Sequence, residues 1–179
     1  MEMIVLGLLC IRDFTMYEMK QAIDNSISFF YSGSYGSIHP ALKKLAEHGF
    51  VKSVDASAGG RARKLFSITD AGRRKHQEWL KSSIPVSRFQ DEGLLRLFFL
   101  GTIPRKNRVQ ILEDYLVSLK HHETEILNII EESKNILLPA NQREGFKFRM
   151  LTAEFGAKYY EFEQDFYKSI LKKMKTGEI

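Results

Sequence analysis

The chain has 179 residues, 44% of them hydrophobic, with 27 Lys and Arg against 22 Asp and Glu; this suffices for one good core or two small ones, and the charge permits an anionic partner without demanding one. A single cysteine, Cys10, excludes a disulfide framework and a multi-cysteine metal site and fits a reducing cytoplasm. No G-x-x-x-x-G-K-[ST], G-x-S-x-G or H-E-x-x-H pattern is present, so an enzyme is the weakest class and no cofactor is expected.

The first predicted helix runs from Met1 to about Ile11. Its apolar run is too short to span a bilayer, is flanked by Glu2 and Arg12, and lacks the marks of a signal peptide. It reads as a buried helix, with Cys10 as core packing. After Arg12-Asp13-Phe14, the pattern Thr15-Met16-Tyr17-Glu18 has the form of a capping box. Tyr17, Lys20 and Ile23 then follow at helical spacing to about Asn25. The connection from Ser26 to Gly33 carries Phe29, Phe30 and Tyr31, which are expected to pack down.

Ser34 can cap a third helix, and Gly49 is placed to end it. Ile38, Ala41, Leu42 and Leu45 share one side of this helix. Tyr35, His39 and Lys43 fall at i, i+4 and i+8 on the other, with Ser37, Lys44 and Glu47 beside them. Pro40 cannot donate to the Gly36 carbonyl and is expected to tighten or bend the opening turns. A hairpin follows, Phe50 to Asp55 and Lys64 to Ile68. Its tip places Gly59-Gly60 just ahead of Arg61, Arg63 and Lys64. Thr69 caps a fourth helix from Asp70 to about Lys81.

Charge concentrates here. Between His39 and His76 stand nine Lys and Arg and three acidic residues, which leaves the rest of the chain close to neutral. Tyr35, His39 and Lys43 form a ridge able to reach base edges and phosphates from the second helix of a helix-turn-helix pair. Arg61, Arg63 and Lys64 can follow a phosphate strand or enter a minor groove. Together these parts predict a winged helix-turn-helix. A winged-helix module that binds only proteins is the alternative, and its weakness is that such a module has no need of the basic wing.

Ser82 to Ser87 lacks helical period and contains Pro85, which sets a domain boundary: 1–84 for DNA binding, 85–179 for a helical dimerisation and effector domain. The second half reads as wholly helical, with breaks at Gly101 to Pro104 and around Pro139. Val109, Leu112, Leu116, Leu119, Ile126 and Ile130 keep a 3,4 spacing interrupted once, at Glu123. The last segment carries one stripe, Phe146, Met150, Ala153, Ala157, Tyr160, Tyr167, Leu171 and Met174, broken at Gln164. It carries a second stripe of Phe148, Phe155, Tyr159, Phe162, Phe166 and Ile170. Two stripes on one helix need two surfaces, and a small domain offers one, so a partner chain is expected on the other. The dimerisation set is assigned as Phe146, Met150, Ala153, Ala157, Tyr160, Tyr167 and Leu171. His121-His122 beside Glu123 and Glu125 do not make a metal site, since adjacent residues on a helix point about 100° apart; no metal is expected.

The segments Met3-Ile4-Val5-Leu6-Gly7-Leu8-Leu9, Tyr17-Glu18-Met19-Lys20, Ser34 through Leu45, Gly49-Phe50-Val51, Gly60-Arg61-Ala62-Arg63-Lys64 and Ile68-Thr69-Asp70-Ala71-Gly72 resemble PadR-type transcriptional regulators in order and spacing. Asp91 to Leu100 and Tyr159-Tyr160 are similar to the C-terminal domain of the longer PadR subfamily. The resemblance implies a cytoplasmic homodimer, usually a repressor, that binds a near-palindromic double-stranded operator and in some members releases it to a phenolic acid or other small aromatic effector. His39 stands where the family often has tyrosine, and Met16 where it has glycine. Residue pattern and resemblance together give an expected DNA-contacting set of Tyr17, Lys20, Ser34, Tyr35, Ser37, His39, Lys43, Lys44, Arg61, Arg63 and Lys64. The expected fold is mainly α: an N-terminal winged helix-turn-helix with a two-stranded wing, and an all-helical C-terminal domain.

Overall fold

The computed structural model describes residues 1–31, 33–55, 64–86 and 90–179. The chain divides into two units, Met1–Ser87 and Arg88–Ile179.

In the first unit, α1 (Glu2–Ile11) is followed by β1 (Phe14–Thr15), α2 (Met16–Asp24), α3 (Tyr35–Glu47), β2 (Val51–Asp55), β3 (Lys64–Ile68) and α4 (Asp70–Lys81). The core is built from Val5, Leu6 and Leu9 of α1, Met19 and Ile23 of α2, Ile38, Ala41, Leu42 and Leu45 of α3, and Phe14, Val51 and Ile68 of the strands. Cys10 is half-buried against it, as its apolar setting implies. The start of α2 is the capping box that the sequence spells: Thr15 Oγ1 accepts the Glu18 N–H at 3.2 Å, and Glu18 Oε2 accepts the Thr15 N–H at 2.8 Å. Hydrogen bonds donated to the Glu18 carboxyl by the Thr15 N–H and hydroxyl hold it below its ordinary pKa.

Helix α3 continues through Pro40. It ends in a Schellman turn. The Phe50 N–H reaches the Leu45 carbonyl at 2.8 Å and the Gly49 N–H the Ala46 carbonyl at 2.9 Å, with Gly49 at φ +69°, a conformation that favours glycine.

The expected two-stranded wing is present as β2 and β3, and a third short strand joins it in the order β1-β3-β2, all antiparallel. Phe14 pairs with Phe66 and Val51 with Ile68. A two-residue strand carries no readable period, and burial of Phe14 fixes it to β3. A second difference lies in the connection after α2: Ile27 packs on the core, while Phe30 and Tyr31 remain exposed.

The hairpin and α4 meet at Thr69. Its hydroxyl donates to the Gly49 carbonyl at 2.8 Å and accepts the Gly72 N–H at 3.1 Å. Gly72 is buried so closely that a Cβ placed there would stand 2.2 Å from the Phe50 carbonyl oxygen and 2.8 Å from Ile68 Cγ1.

The second unit holds α5 (Glu92–Phe99) with a 3-10 turn at Leu100–Thr102, then the long helices α6 (Arg105–Ser133) and α7 (Ala140–Thr176). Ladder contacts such as Lys175 to Glu113 and Gln164 to Glu123 show α6 and α7 antiparallel. Leu100, Leu112, Leu119, Tyr167 and Met174 form the core, with Tyr160, Ile170 and Leu171 packed against it. The polar breaks in the two apolar stripes meet: Gln164 Nε2 donates to Glu123 Oε2 at 3.0 Å. Helices of 29 and 37 residues thus bury one stripe each against the other.

This corrects the dimerisation set in part. Tyr160, Tyr167 and Leu171, assigned to a partner surface, pack against the core of their own unit, Tyr167 at 1% exposure. Phe146, Met150, Ala153 and Ala157 on the same stripe are half-buried. The stripe left open is the other one, with Phe148, Phe155 and Phe162 exposed at 66%, 65% and 67%. Both stripes have the same period, so periodicity alone did not say which faces inward.

Candidate functional site

On α3 the buried row of Ile38, Ala41, Leu42 and Leu45 turns Tyr35, His39 and Lys43 outward. Tyr35 is 44% exposed. A Cβ placed on Gly36 beside it would meet only the Ser34 hydroxyl, at 3.6 Å, so that side of the helix start stands open. Ser34 is exposed and Ser37 half-buried; the Ser37 hydroxyl accepts the Ser34 N–H at 3.0 Å, which fixes the first turn. Lys43 lies 3.9 Å from Glu47, a loose exposed pair that leaves it available to a phosphate. Lys44 is placed differently: its Nζ sits 2.7 Å from Glu2 Oε1 of α1. That contact spans 42 positions of sequence, which no local pattern reveals, and it ties α3 to α1.

On α2, Tyr17 is exposed at 61%, and its hydroxyl accepts Gln21 Nε2 at 3.0 Å. Lys20 is half-buried and paired with Asp24. Lys64 begins β3 opposite Asp55 and is exposed. Arg61 and Arg63 lie outside the described residues. The first unit therefore presents, on exposed parts of consecutive helices α2 and α3, a tyrosine pair, an imidazole and one loosely held lysine. Hydroxyl, imidazole and ammonium groups on an exposed helix are what base edges and phosphate oxygens accept.

The second unit, where an effector site is expected, has a candidate site of its own. A cavity of about 430 Å³ is lined by Leu97, Leu100, Ile111, Leu112, Tyr115 and Tyr167 among others, with Asp91, Glu92, Arg96 and Asp114 at its polar side. Behind it, Glu163 is 6% exposed. The Tyr115 hydroxyl donates to Glu163 Oε1 at 3.3 Å, and the Tyr159 hydroxyl donates to Asp91 Oδ2 at 3.3 Å. Burial, then the charge of Asp91, raises the Glu163 pKa. Burial and the nearby carboxylates also raise the phenols, Tyr167 to about 12 and Tyr115 and Tyr159 further. A glutamate inside the aromatic run Tyr159 to Tyr167 was the available signal.

The sign for stability follows from linkage. An acid whose folded pKa is raised binds its proton more tightly when folded, so its contribution is full below the unfolded value near 4.5 and is lost as pH rises through the folded value. Glu163→Gln keeps a hydrogen-bond acceptor and cannot ionise. Its melting temperature relative to the parent is expected to climb from pH 4.5 to neutrality, as read by thermal melts across that range. A difference independent of pH would show that Glu163 does not titrate between those limits.

Residues 5–78 match the family described as Transcriptional regulator PadR-like. Over 114 residues the chain is 26% identical to the negative transcriptional regulator PadR of Bacillus subtilis, a match covering 63% of each chain. Crystal structures of that Bacillus protein superpose along nearly the whole length. The form in complex with operator DNA gives a TM-score of 0.83 at 20% identity, covering 97% of this chain and 98% of the other. The form with p-coumaric acid gives 0.78 at 21% with the same coverage. At such identities these likenesses establish a shared fold. Among the described residues no helix is long and apolar enough to cross a membrane.

Proposed function

Since residues 5–78 form a PadR-like regulator domain, we propose that the chain is a sequence-specific DNA-binding transcriptional regulator of the cytoplasm, a repressor that acts as a homodimer and leaves its operator when a small molecule binds the helical unit. The observation that carries this reading is the outward ridge of Tyr35, His39 and Lys43 on α3, backed by the buried row that holds the helix in place. The match to a negative regulator, and the likeness to a protein crystallised once with operator DNA and once with p-coumaric acid, support it. Two symmetric copies would read inverted half-sites with centres about 34 to 36 Å apart, or a multiple of that.

Selection of binding sites from a random duplex library tests the reading directly. Failure of the full chain to enrich any sequence overturns it. On the selected duplex, Tyr35→Ala and His39→Ala are each expected to cost roughly 1 to 3 kcal/mol, and less on random DNA, because a base-edge contact is lost only where the right base is present. Equal losses on both would reduce these residues to backbone contacts.

The wing has a different signature. Arg61→Ala should weaken binding to all duplexes alike and flatten the salt dependence by about one phosphate contact. Lys43→Ala should act in the same direction but less. Titrations at several salt concentrations separate the two, and an unchanged slope for Arg61→Ala removes the wing from the interface.

A further inference from the structure

Tyr115, Tyr167 and Asp91 turn oxygens toward one spot above Gly93. A Cβ placed on that glycine would stand 2.8 Å from the Tyr115 hydroxyl, 2.9 Å from that of Tyr167 and 3.1 Å from Asp91 Oδ1. Glycine is what lets the three oxygens approach the backbone so closely, and both tyrosines, Asp91 and Gly93 line the cavity. Tyr167 is 1% exposed, and among the described residues its hydroxyl has no hydrogen-bond partner. A buried hydroxyl without a partner forgoes about 1 to 3 kcal/mol, so such a group calls for a polar partner.

The remaining groups say what kind of ligand. Tyr115 commits its proton to Glu163, so toward the spot it offers lone pairs. Asp91 Oδ1 accepts the Leu94 N–H at 2.7 Å and has a second lone pair. Among the described residues, those around the cavity include the carboxylates of Asp91, Glu92 and Asp114 and one cation, Arg96, whose Nε is 2.9 Å from Glu92. An anion entering here meets carboxylates and an arginine already paired. A cation meets acceptor oxygens of Tyr115, Tyr167 and Asp91. The wall opposite is apolar, made by Leu97, Leu100, Ile111 and Leu112.

We propose that this niche takes the ammonium end of a small primary amine whose aromatic body fills the cavity, an effector class opposite in charge to a phenolic acid. Three N–H donors suit a set of oxygens converging from Tyr115, Tyr167 and Asp91, and the volume of about 430 Å³ suits a ligand of one or two rings. The regulatory meaning rests on the effector reading above, whereas binding itself is measured without DNA.

Calorimetry on the full-length protein uses tyramine, phenethylamine and tryptamine as cations, tyrosol as the neutral counterpart of tyramine, and p-coumarate as the anion. At least one amine is expected to bind. Where that amine is tyramine, tyrosol should be at least roughly tenfold weaker, the worth of one charge-assisted contact, and p-coumarate weaker still. Tyr167→Phe should weaken the amine by roughly tenfold without lowering the melting temperature, because it deletes a hydroxyl that has no partner. Gly93→Ala, which fills the spot, should abolish binding. The proposal is overturned by heat from none of the amines, by p-coumarate binding as tightly as the best amine, or by an amine affinity that Tyr167→Phe leaves unchanged. Duplex release is scored separately. An amine that binds through the niche without altering duplex affinity keeps the site and removes the effector reading, and release by p-coumarate with no amine binding keeps the effector reading and removes this site.

Discussion

Replacing Phe155 and Phe162 together by aspartate is expected to turn a dimer into a monomer and to lower affinity for a selected duplex by roughly a hundredfold or more. With Phe148 these rings recur every seven residues along α7, and all three are about two-thirds exposed. Leu151 on the same helix is also exposed, and Phe155 stacks on Tyr159 as Phe162 does on Phe166. A stripe at heptad spacing on a helix already packed on one side is the surface a second helix of the same kind can cover. Two linked DNA-binding units make the second binding event intramolecular, which contributes about 10² to 10⁴ in affinity with no added contact. Aspartate at these exposed positions leaves the α6 contacts of α7 in place, so the unit should melt near the parent temperature while sedimenting as a monomer. A dimeric double variant that holds the duplex as tightly as the parent would remove this stripe from the dimer interface.

Gly72→Ala is expected to destabilise the first unit by about 3 kcal/mol or more. Alanine is ordinarily the better helix residue, and Gly72 lies in α4 with helical backbone, so propensity alone gives the opposite sign. Packing decides: the new Cβ would stand 2.2 Å from a backbone oxygen that the Thr69 N–H also uses, at 3.1 Å, to close the turn between β3 and α4. Neither atom can move without opening that turn. Gly36→Ala is the contrast, since its Cβ would meet only the Ser34 hydroxyl at 3.6 Å; there the fold should gain roughly 0.5 to 1 kcal/mol. The chain has one tryptophan, Trp79 on α4, so its fluorescence during denaturant unfolding reports on this unit. Equal midpoints for Gly72→Ala and the parent would show that the helix shifts to accommodate the methyl.

What the sequence made legible was local. The capping box at Thr15 and Glu18, the buried and exposed sides of α3, and the termination at Gly49 all depend on residues within one or two turns of each other. What it hid depends on distance. The strand Phe14–Thr15 exists only because β3 is there to pair with it. Lys44 looked like another cation on the exposed side of α3, and only the folded chain brings Glu2 to it. The steric need for glycine at 72 comes from Phe50, a residue on the far side of the hairpin. The inward stripe of α7 is an instructive miss, since its single polar break at Gln164 has a counterpart at Glu123 in α6, and matching the two would have identified the facing pair.

That matched pair also limits how α6 and α7 move. Gln164, 5% exposed, donates across the seam to Glu123, which also holds Lys120 of its own helix. Sliding one helix past the other by a turn, about 5.4 Å, would separate them and set each against aliphatic or aromatic neighbours. Glu123 would keep Lys120, 2.6 Å away on its own helix, while the buried Gln164 amide would lose its acceptor, at a cost of about 1 to 3 kcal/mol. Lys175 on Glu113 latches the same alignment near the other end of the seam. Axial sliding therefore breaks the Gln164–Glu123 contact, whereas tilting of the hairpin or rotation of α5 against it keeps that contact.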